Sequence, residues 1–208
     1  MAIKKTNIVV VDYGAGNLLS LERAINYLGY KATISSELNK IRQADTLFLP
    51  GVGSFSNAIS SLKKLKLYKL ILDHVKLEKK IFGICLGMQI LAKVGHEGKK
   101  TKGFGFLKGD VTKLKSVNKS RVPHVGFNKV NFNPKIKLLK KLDKNSYFYF
   151  NHSYAIKDFE LDNGFYSYTT HGEKFISIYE KKNIYATQFH PEKSQTNGLQ
   201  ILKNFLDL

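Results

Sequence analysis

The chain has 208 residues, 43% hydrophobic and 12% aromatic, enough to bury about 70% of its unfolded surface around one core, which excludes a disordered or low-complexity protein. No apolar run approaches the roughly 20 residues of a membrane-spanning helix, Met1 to Lys5 leads straight into a strand-like run without a signal peptide, and the single cysteine, Cys85, excludes an intrachain disulfide. Thirty-four Lys and Arg against sixteen Asp and Glu give a net charge of +18, but they are mostly lysines in scattered pairs (Lys4-Lys5, Lys63-Lys64, Lys140-Lys141), with arginine only at 23, 42 and 121, so the expectation is a soluble, cytoplasmic domain spanning residues 1–208 with no nucleic-acid or membrane surface.

Ile8 to Val11 reads as a buried strand, entering the turn Tyr13-Gly-Ala-Gly16. Asn17 is placed to cap a helix from Leu18 to Leu28, whose Leu18, Leu21, Ile25 and Leu28 share one face, and Gly29 stops it. A short strand near Ala32–Ile34 follows, then a buried strand Thr46–Leu49 broken by Pro50-Gly51. Helical patterns cover Ser54–Leu65 and Lys69–Leu77, Lys80–Ile84 is a fourth strand ending at Cys85, and Leu86–Val94 reads as a helix. This alternation predicts an α/β fold, an open, twisted, mostly parallel sheet with helices on both faces. From Gly103 onward turn residues are frequent, and Asp110–Leu114, Asn128–Phe132, Tyr147–Asn151, Tyr166–Thr170, Lys174–Glu180 and Ile184–Phe189 are strand candidates, many antiparallel because their spacers are too short for crossover helices. A helix over Thr196–Leu206 closes the chain, with no internal repeat or linker.

The chemistry concentrates at Gly83-Ile-Cys-Leu-Gly-Met88. A nucleophile between two glycines at a strand-to-helix junction forms a sharp elbow that exposes its side chain above the carboxyl edge of the sheet. The competing reading is a small buried core cysteine, and on spacing alone the two stand level. A thiolate nucleophile needs a base and a group that orients the base, and Phe189-His-Pro-Glu-Lys193 supplies both: His190 to take and return the proton, Glu192 to hold the imidazole. His-x-Glu alone is usually just a strand end; with the elbow it forms a Cys85-His190-Glu192 set. An oxyanion hole takes one N–H from Leu86 and a second from Pro50-Gly-Val-Gly-Ser54, a loop that by itself also reads as a plain turn.

These residues resemble the class I (triad) glutamine amidotransferases over nearly the whole chain and in the right order. Within that family the segments Asp12-Tyr-Gly-Ala-Gly-Asn17, Pro50-Gly-Val-Gly53, Gly83-Ile-Cys-Leu-Gly-Met-Gln89, Pro123-His-Val-Gly-Phe-Asn128, His152-Ser-Tyr154 and Gln188-Phe-His-Pro-Glu-Lys-Ser194 are similar to those of glutaminase subunits that feed ammonia to a cyclase of histidine biosynthesis. The resemblance implies that Cys85 forms a γ-glutamyl thioester with L-glutamine, that Gly53, Gln89, Ser153 and Tyr154 hold the glutamine, and that the N–H groups of Val52 and Leu86 bind the oxyanion. It implies a one-to-one heterodimer with a (β/α)8-barrel cyclase making imidazole glycerol phosphate and AICAR, faced by Asn17, Phe127, Tyr149 and Lys193, and a Gly-Val-Gly loop held non-productive until the partner binds. Phe127 stands where the family usually has Trp, and the high positive charge is unusual for it; both touch the partner rather than the triad.

No Cys/His cluster has the spacing of a metal site and no GxGxxG follows a strand, so neither metal nor cofactor is expected. His74 and His96 read as surface residues, His171 as a hairpin turn beside Gly172, and His124 and His152 as structural or interface residues. Three other functions stand beside the glutaminase: a paralogue supplying ammonia for sugar amidation in bacterial surface polysaccharide synthesis, a non-catalytic regulatory or binding domain, and a basic nucleic-acid binder.

Overall fold

The first strand, Ile-Val-Val-Val, is apolar on both faces and so packs against a layer on each side. The computed structural model describes residues 6–117, 120–160 and 162–208; the Lys4-Lys5 pair lies outside them. Its first half runs β1 (Ile8–Val11), α1 (Leu18–Tyr27), β2 (Ala32–Ser35), α2 (Leu38–Gln43), β3 (Thr46–Gly51), α3 (Phe55–Lys64), α4 (Leu67–Lys76), β4 (Lys80–Cys85) and α5 (Leu86–Ile90). The second half runs β5 (Ala92–Gly95), β6 (Thr101–Lys102), β7 (Leu107–Lys113), β8 (His124–Lys129), β9 (Tyr147–His152), β10 (Tyr154–Phe159), β11 (Phe165–His171), β12 (Glu173–Lys181), β13 (Ile184–Thr187) and α6 (Gln195–Leu206).

The main sheet has seven strands in the order β11-β12-β13-β4-β3-β1-β2. β13, β4, β3, β1 and β2 are mutually parallel, and β12 runs antiparallel to both its neighbours. Because side chains alternate across a strand, Val9, Val11, Leu47 and Leu49 face one layer with Ile59, Leu62, Leu67 and Ile71 of α3 and α4. Ile8, Val10, Phe48 and Phe82 face the other with Leu21 and Ile25 of α1 and Ile201, Leu202 and Phe205 of α6. There the Phe48, Phe82 and Phe205 rings meet at 4.8–5.6 Å, and burying each such side chain contributes about 1.5–3 kcal/mol. Among the described residues, no helix is long and apolar enough to cross a membrane.

The register places the functional segments at one edge. Gly51 pairs with Cys85 and Ile84 with Thr187, so the ends of β3, β4 and β13 lie side by side where open α/β sheets collect their ligands.

Several expectations need correction. The helix expected over Leu86–Val94 stops at Ile90, because Ala92, Val94 and Gly95 pair with β7 instead, starting a separate four-stranded sheet of order β10-β7-β5-β6. The strand expected at Asn128–Phe132 lies earlier, at His124–Lys129, where His124 to Lys129 pair antiparallel with Tyr147 to His152, while Val130 turns into the core. Asn17 precedes α1 but caps it with no side-chain hydrogen bond, its φ of −92° and ψ of 73° lying outside the extended geometry a capping side chain uses. His74, expected at the surface, is buried on the inner face of α4, its Nε2 bonded to Lys80 O at 2.9 Å. Neither α2, β6 nor β10 is signalled by hydropathy pattern.

Candidate active site

The β4–α5 junction is a strained turn. Cys85 sits at φ 55° and ψ −108°, a backbone conformation that non-glycine residues hold at a cost of about 1–3 kcal/mol. The flanking glycines make it possible. A Cβ on Gly87 would fall 1.6 Å from Leu49 O, and one on Gly83 would fall 2.8 Å from Gly87 O. The elbow inferred from spacing is therefore real, and it rests on the backbone of β3.

Beyond β13 the chain carries His190 into the 3-10 turn Pro191–Lys193. His190 Nδ1 donates to Glu192 Oε1 at 2.8 Å, with both side chains buried. In the neutral ring that bond keeps the proton on Nδ1, so that Nε2 is the nitrogen left to exchange a proton with Cys85. Burial works against the charged imidazolium, but the negative charge of Cys85 and the Glu192 carboxylate outweigh it and raise the His190 pKa to about 10. Cys85 Sγ also receives the Gln188 amide at 3.6 Å and faces Asn151 O at 3.8 Å.

A cavity of about 310 Å³ opens over the sulfur. Val52, Gly53, Leu86, Gln89, Ser153 and Tyr154 all line it with Cys85. Glu97 is its one acidic side chain among the described residues, and one of its oxygens accepts the Phe55 N–H at 2.8 Å, fixing the carboxylate in the wall. A buried thiol, an oriented imidazole and a cavity of amino-acid size fit nucleophilic attack on an acyl carbon.

Comparison with known proteins points the same way. The family described as Glutamine amidotransferase class-I matches residues 9–208. The chain belongs to the class-I glutamine amidotransferases. It is 43% identical to "Imidazole glycerol phosphate synthase subunit HisH" of Caldanaerobacter subterraneus subsp. tengcongensis, over 95% of this chain and 96% of that one. The protein of the same name from Lactococcus lactis is also 43% identical, over 96% of this chain and 98% of that one. Among solved structures, a putative GMP synthase protein from Thermoplasma acidophilum aligns over 96% of this chain and 92% of that one, with TM-score 0.72 at 22% identity. The crystal structure of a glutamine amidotransferase aligns over 96% and 97% with TM-score 0.74 at 17% identity, and both likenesses concern the fold alone.

In this amidotransferase the triad residues and the cavity residues expected from sequence converge, with one change of role. Gln89 Nε2 is engaged at 2.7 Å with Tyr154 O and at 3.2 Å with Gln188 Oε1, so the side chain expected to hold substrate also ties the cavity wall to Gln188. Of the remaining expected residues, Phe127 and Tyr149 meet at 5.6 Å on the outer face of the β8–β9 pair, Lys193 Nζ lies 5.9 Å from the Tyr149 ring, and Asn17 is exposed ahead of α1. Phe127 is 48% exposed, a large apolar group left in solvent beside exposed Val125 and Tyr147.

Glu97, Gln188 and Asn151 escaped the sequence reading. Glu97 lies in a loop with no motif; Gln188 stands inside a quoted segment but signals nothing without the fold. Of the two inner histidines His152 also lines the cavity: His124 Nδ1 and His152 Nε2 lie 3.1 Å apart, His152 Nδ1 donates to Tyr154 O at 2.9 Å, and burial pushes their pKa values down to about 4 and about 3. Neutral at working pH, they brace Ser153-Tyr154.

Proposed function

We propose that the chain, residues 1–208 as one domain, is the glutaminase subunit of an imidazole glycerol phosphate synthase, acting in histidine biosynthesis. The observation that carries the chemistry is the His190–Glu192 bond beside Cys85 under a cavity lined by Val52 and Leu86. L-Glutamine enters with its α-ammonium toward Glu97 and its side chain along Gly53, Gln89, Ser153 and Tyr154. The Cys85 thiolate attacks the amide carbon, and the developing oxyanion takes the N–H groups of Val52 and Leu86. The His190 imidazolium gives its proton to the departing nitrogen, ammonia leaves, and a γ-glutamyl thioester remains. His190 Nε2, now neutral, takes a proton from water, whose oxygen attacks the thioester; glutamate departs and the thiolate–imidazolium pair returns. Glu192 stays ionised and holds Nδ1 throughout.

The ammonia acceptor is a (β/α)8-barrel cyclase docked as a one-to-one heterodimer on the exposed aromatic patch. Phe127 and Tyr149 anchor it, Lys193 reaches an acidic residue of the partner, and Asn17 lies at the contact. The reading is supported by Phe127 and Tyr147, which stand exposed on the β8–β9 pair, while Asn151 and His152 at the end of β9 line the cavity.

The test is glutamate release from glutamine by the chain alone, and with the cyclase subunit of the same genome plus its aminoimidazole nucleotide. Strong stimulation by partner and nucleotide, lost in Cys85→Ala, is the expected result. Hydrolysis indifferent to that cyclase moves the assignment to a sugar-amidation paralogue, and no hydrolysis under any condition overturns the enzyme reading.

A further inference from the structure

Gln188 follows β13, two residues before His190, and has no part in the triad. It is fully buried, and its backbone N–H donates to Ser177 O at 2.9 Å, which ties the end of β13 to β12. Its side chain is a link in a series of amides that ends on the nucleophile. The carbonyl of Tyr154 can only accept, so the Gln89 amide turns its Nε2 toward it, at 2.7 Å. The same nitrogen gives its second hydrogen to Gln188 Oε1 at 3.2 Å. Gln188 is left with its own Nε2 facing Cys85 Sγ, at 3.6 Å. The reverse orientation would set two Nε2 groups against each other and an oxygen against the sulfur, with both amides buried.

We propose that Gln188 is a catalytic residue of the glutaminase reaction, its side-chain N–H donating to the Cys85 thiolate before attack and again when the sulfur is expelled. The proposal rests on the glutaminase reading above. A donor on the sulfur favours its charged form, whereas the Asn151 carbonyl, 3.8 Å from Sγ, can only accept and so favours the thiol. The two neighbours oppose each other. The donor has the shorter contact, and a hydrogen bond to an ionised group is roughly twice as strong as one between neutral groups. In the second half of the cycle the tetrahedral intermediate collapses: the C–S bond breaks, its electron pair stays on the sulfur, and the carboxyl of glutamate forms. The Gln188 amide already stands where that charge appears, so no reorganisation is needed to meet it. Gln188 is not among the residues that line the cavity, so it acts on the sulfur and not on the bound glutamine.

The test replaces Gln188 by Met, which keeps the length of the side chain and gives Gln89 a weak sulfur acceptor but offers Cys85 no hydrogen. Gln188→Leu is made beside it. Cys85 is the one cysteine of the chain, so alkylation of the chain by iodoacetamide reports it directly. The alkylation rate against pH is measured on the chain, and glutamine kinetics against pH on its complex with the cyclase subunit. Expected in Gln188→Met is an acid limb of alkylation moved upward by about one pH unit, with the kcat/KM limb moved in the same direction. The alkylation plateau stays at the wild-type rate or rises up to about threefold, because a less stabilised thiolate is the better nucleophile. Above the limb, KM stays within about twofold of wild type. An alkylation limb that does not move overturns the proposal. So does a raised KM with both limbs in place, which marks a residue that only braces Gln89, and so does failure of both variants to fold, which marks a structural amide. If wild type releases no glutamate, the glutaminase reading falls by itself: alkylation needs no glutamine, and its acid limb still decides whether Gln188 holds the thiolate.

Discussion

The backbone amide of His190 donates to the carbonyl of Tyr149 at 2.9 Å. The residue assigned the proton transfers is thereby bonded to a residue whose ring lies on the exposed aromatic patch. Ser194 closes the clamp: its Oγ accepts the Tyr149 N–H at 2.9 Å and donates to His190 O at 2.6 Å. Three hydrogen bonds thus tie β9 directly to His190.

Ser194→Ala removes two of those bonds and leaves an amide without its partner. The expected cost is about 1–3 kcal/mol of stability, read as a lower urea midpoint, together with a weaker response of glutaminase rate to partner. A variant that keeps its full stimulation would show that the clamp transmits nothing.

The glycines divide into two kinds. Gly87→Ala places a methyl 1.6 Å from the Leu49 carbonyl, in backbone that cannot yield, and the chain is expected to lose more than about 4 kcal/mol or fail to fold. Gly53→Ala meets no atom within 4 Å but holds φ at +113°, so it is expected to cost only about 1–2 kcal/mol while reducing turnover severely. Parallel scans of Tm and kcat decide this; equal losses of both in the two variants would refute the distinction.

His190 gives a pH dependence whose sign follows from its raised pKa. Its charged form is favoured in the fold, so the stability it contributes is complete below the ordinary value of 6.5 and is lost as pH rises through about 10. Glu192→Gln removes one cause of that shift. Its deficit in Tm against wild type is expected to be widest near pH 6 and to narrow toward pH 10; a deficit that grows with pH would contradict the assignment.

Far from the site, Asp162 accepts the Lys181 ammonium at 2.8 Å, the Tyr179 hydroxyl at 3.0 Å, the Gly164 N–H at 2.8 Å and the Tyr166 hydroxyl. Burial opposes its charge, but these donors prevail and hold its pKa down to about 2. The stability this carboxylate adds is present above its ordinary value of 3.8 and is lost as pH falls toward about 2. Asp162→Asn is expected to lose about 1–3 kcal/mol at pH 7 and to show a shallower acid limb in urea titrations between pH 2 and 4. Identical acid limbs would exclude Asp162 as their source.

Chain order and composition alone determined the parallel half of the sheet, the elbow at Cys85 and the pairing of His190 with Glu192. Each is local: β1, β3 and β4 are short apolar runs, and the His-Pro-Glu spacing sets two side chains on one turn. What lay outside local pattern was decided by tertiary packing. The helix begun at Leu86 ends at Ile90 because the backbone of Ala92–Gly95 finds strand partners in β7, a pairing that hydrophobic periodicity does not encode. Glu97 becomes a cavity wall only because its carboxylate is tied to Phe55 N, 42 residues away in the chain. Periodicity and motif report which residues a segment buries and which it bends; the atom that meets a given side chain across 40 or 100 residues is settled only when the layers close.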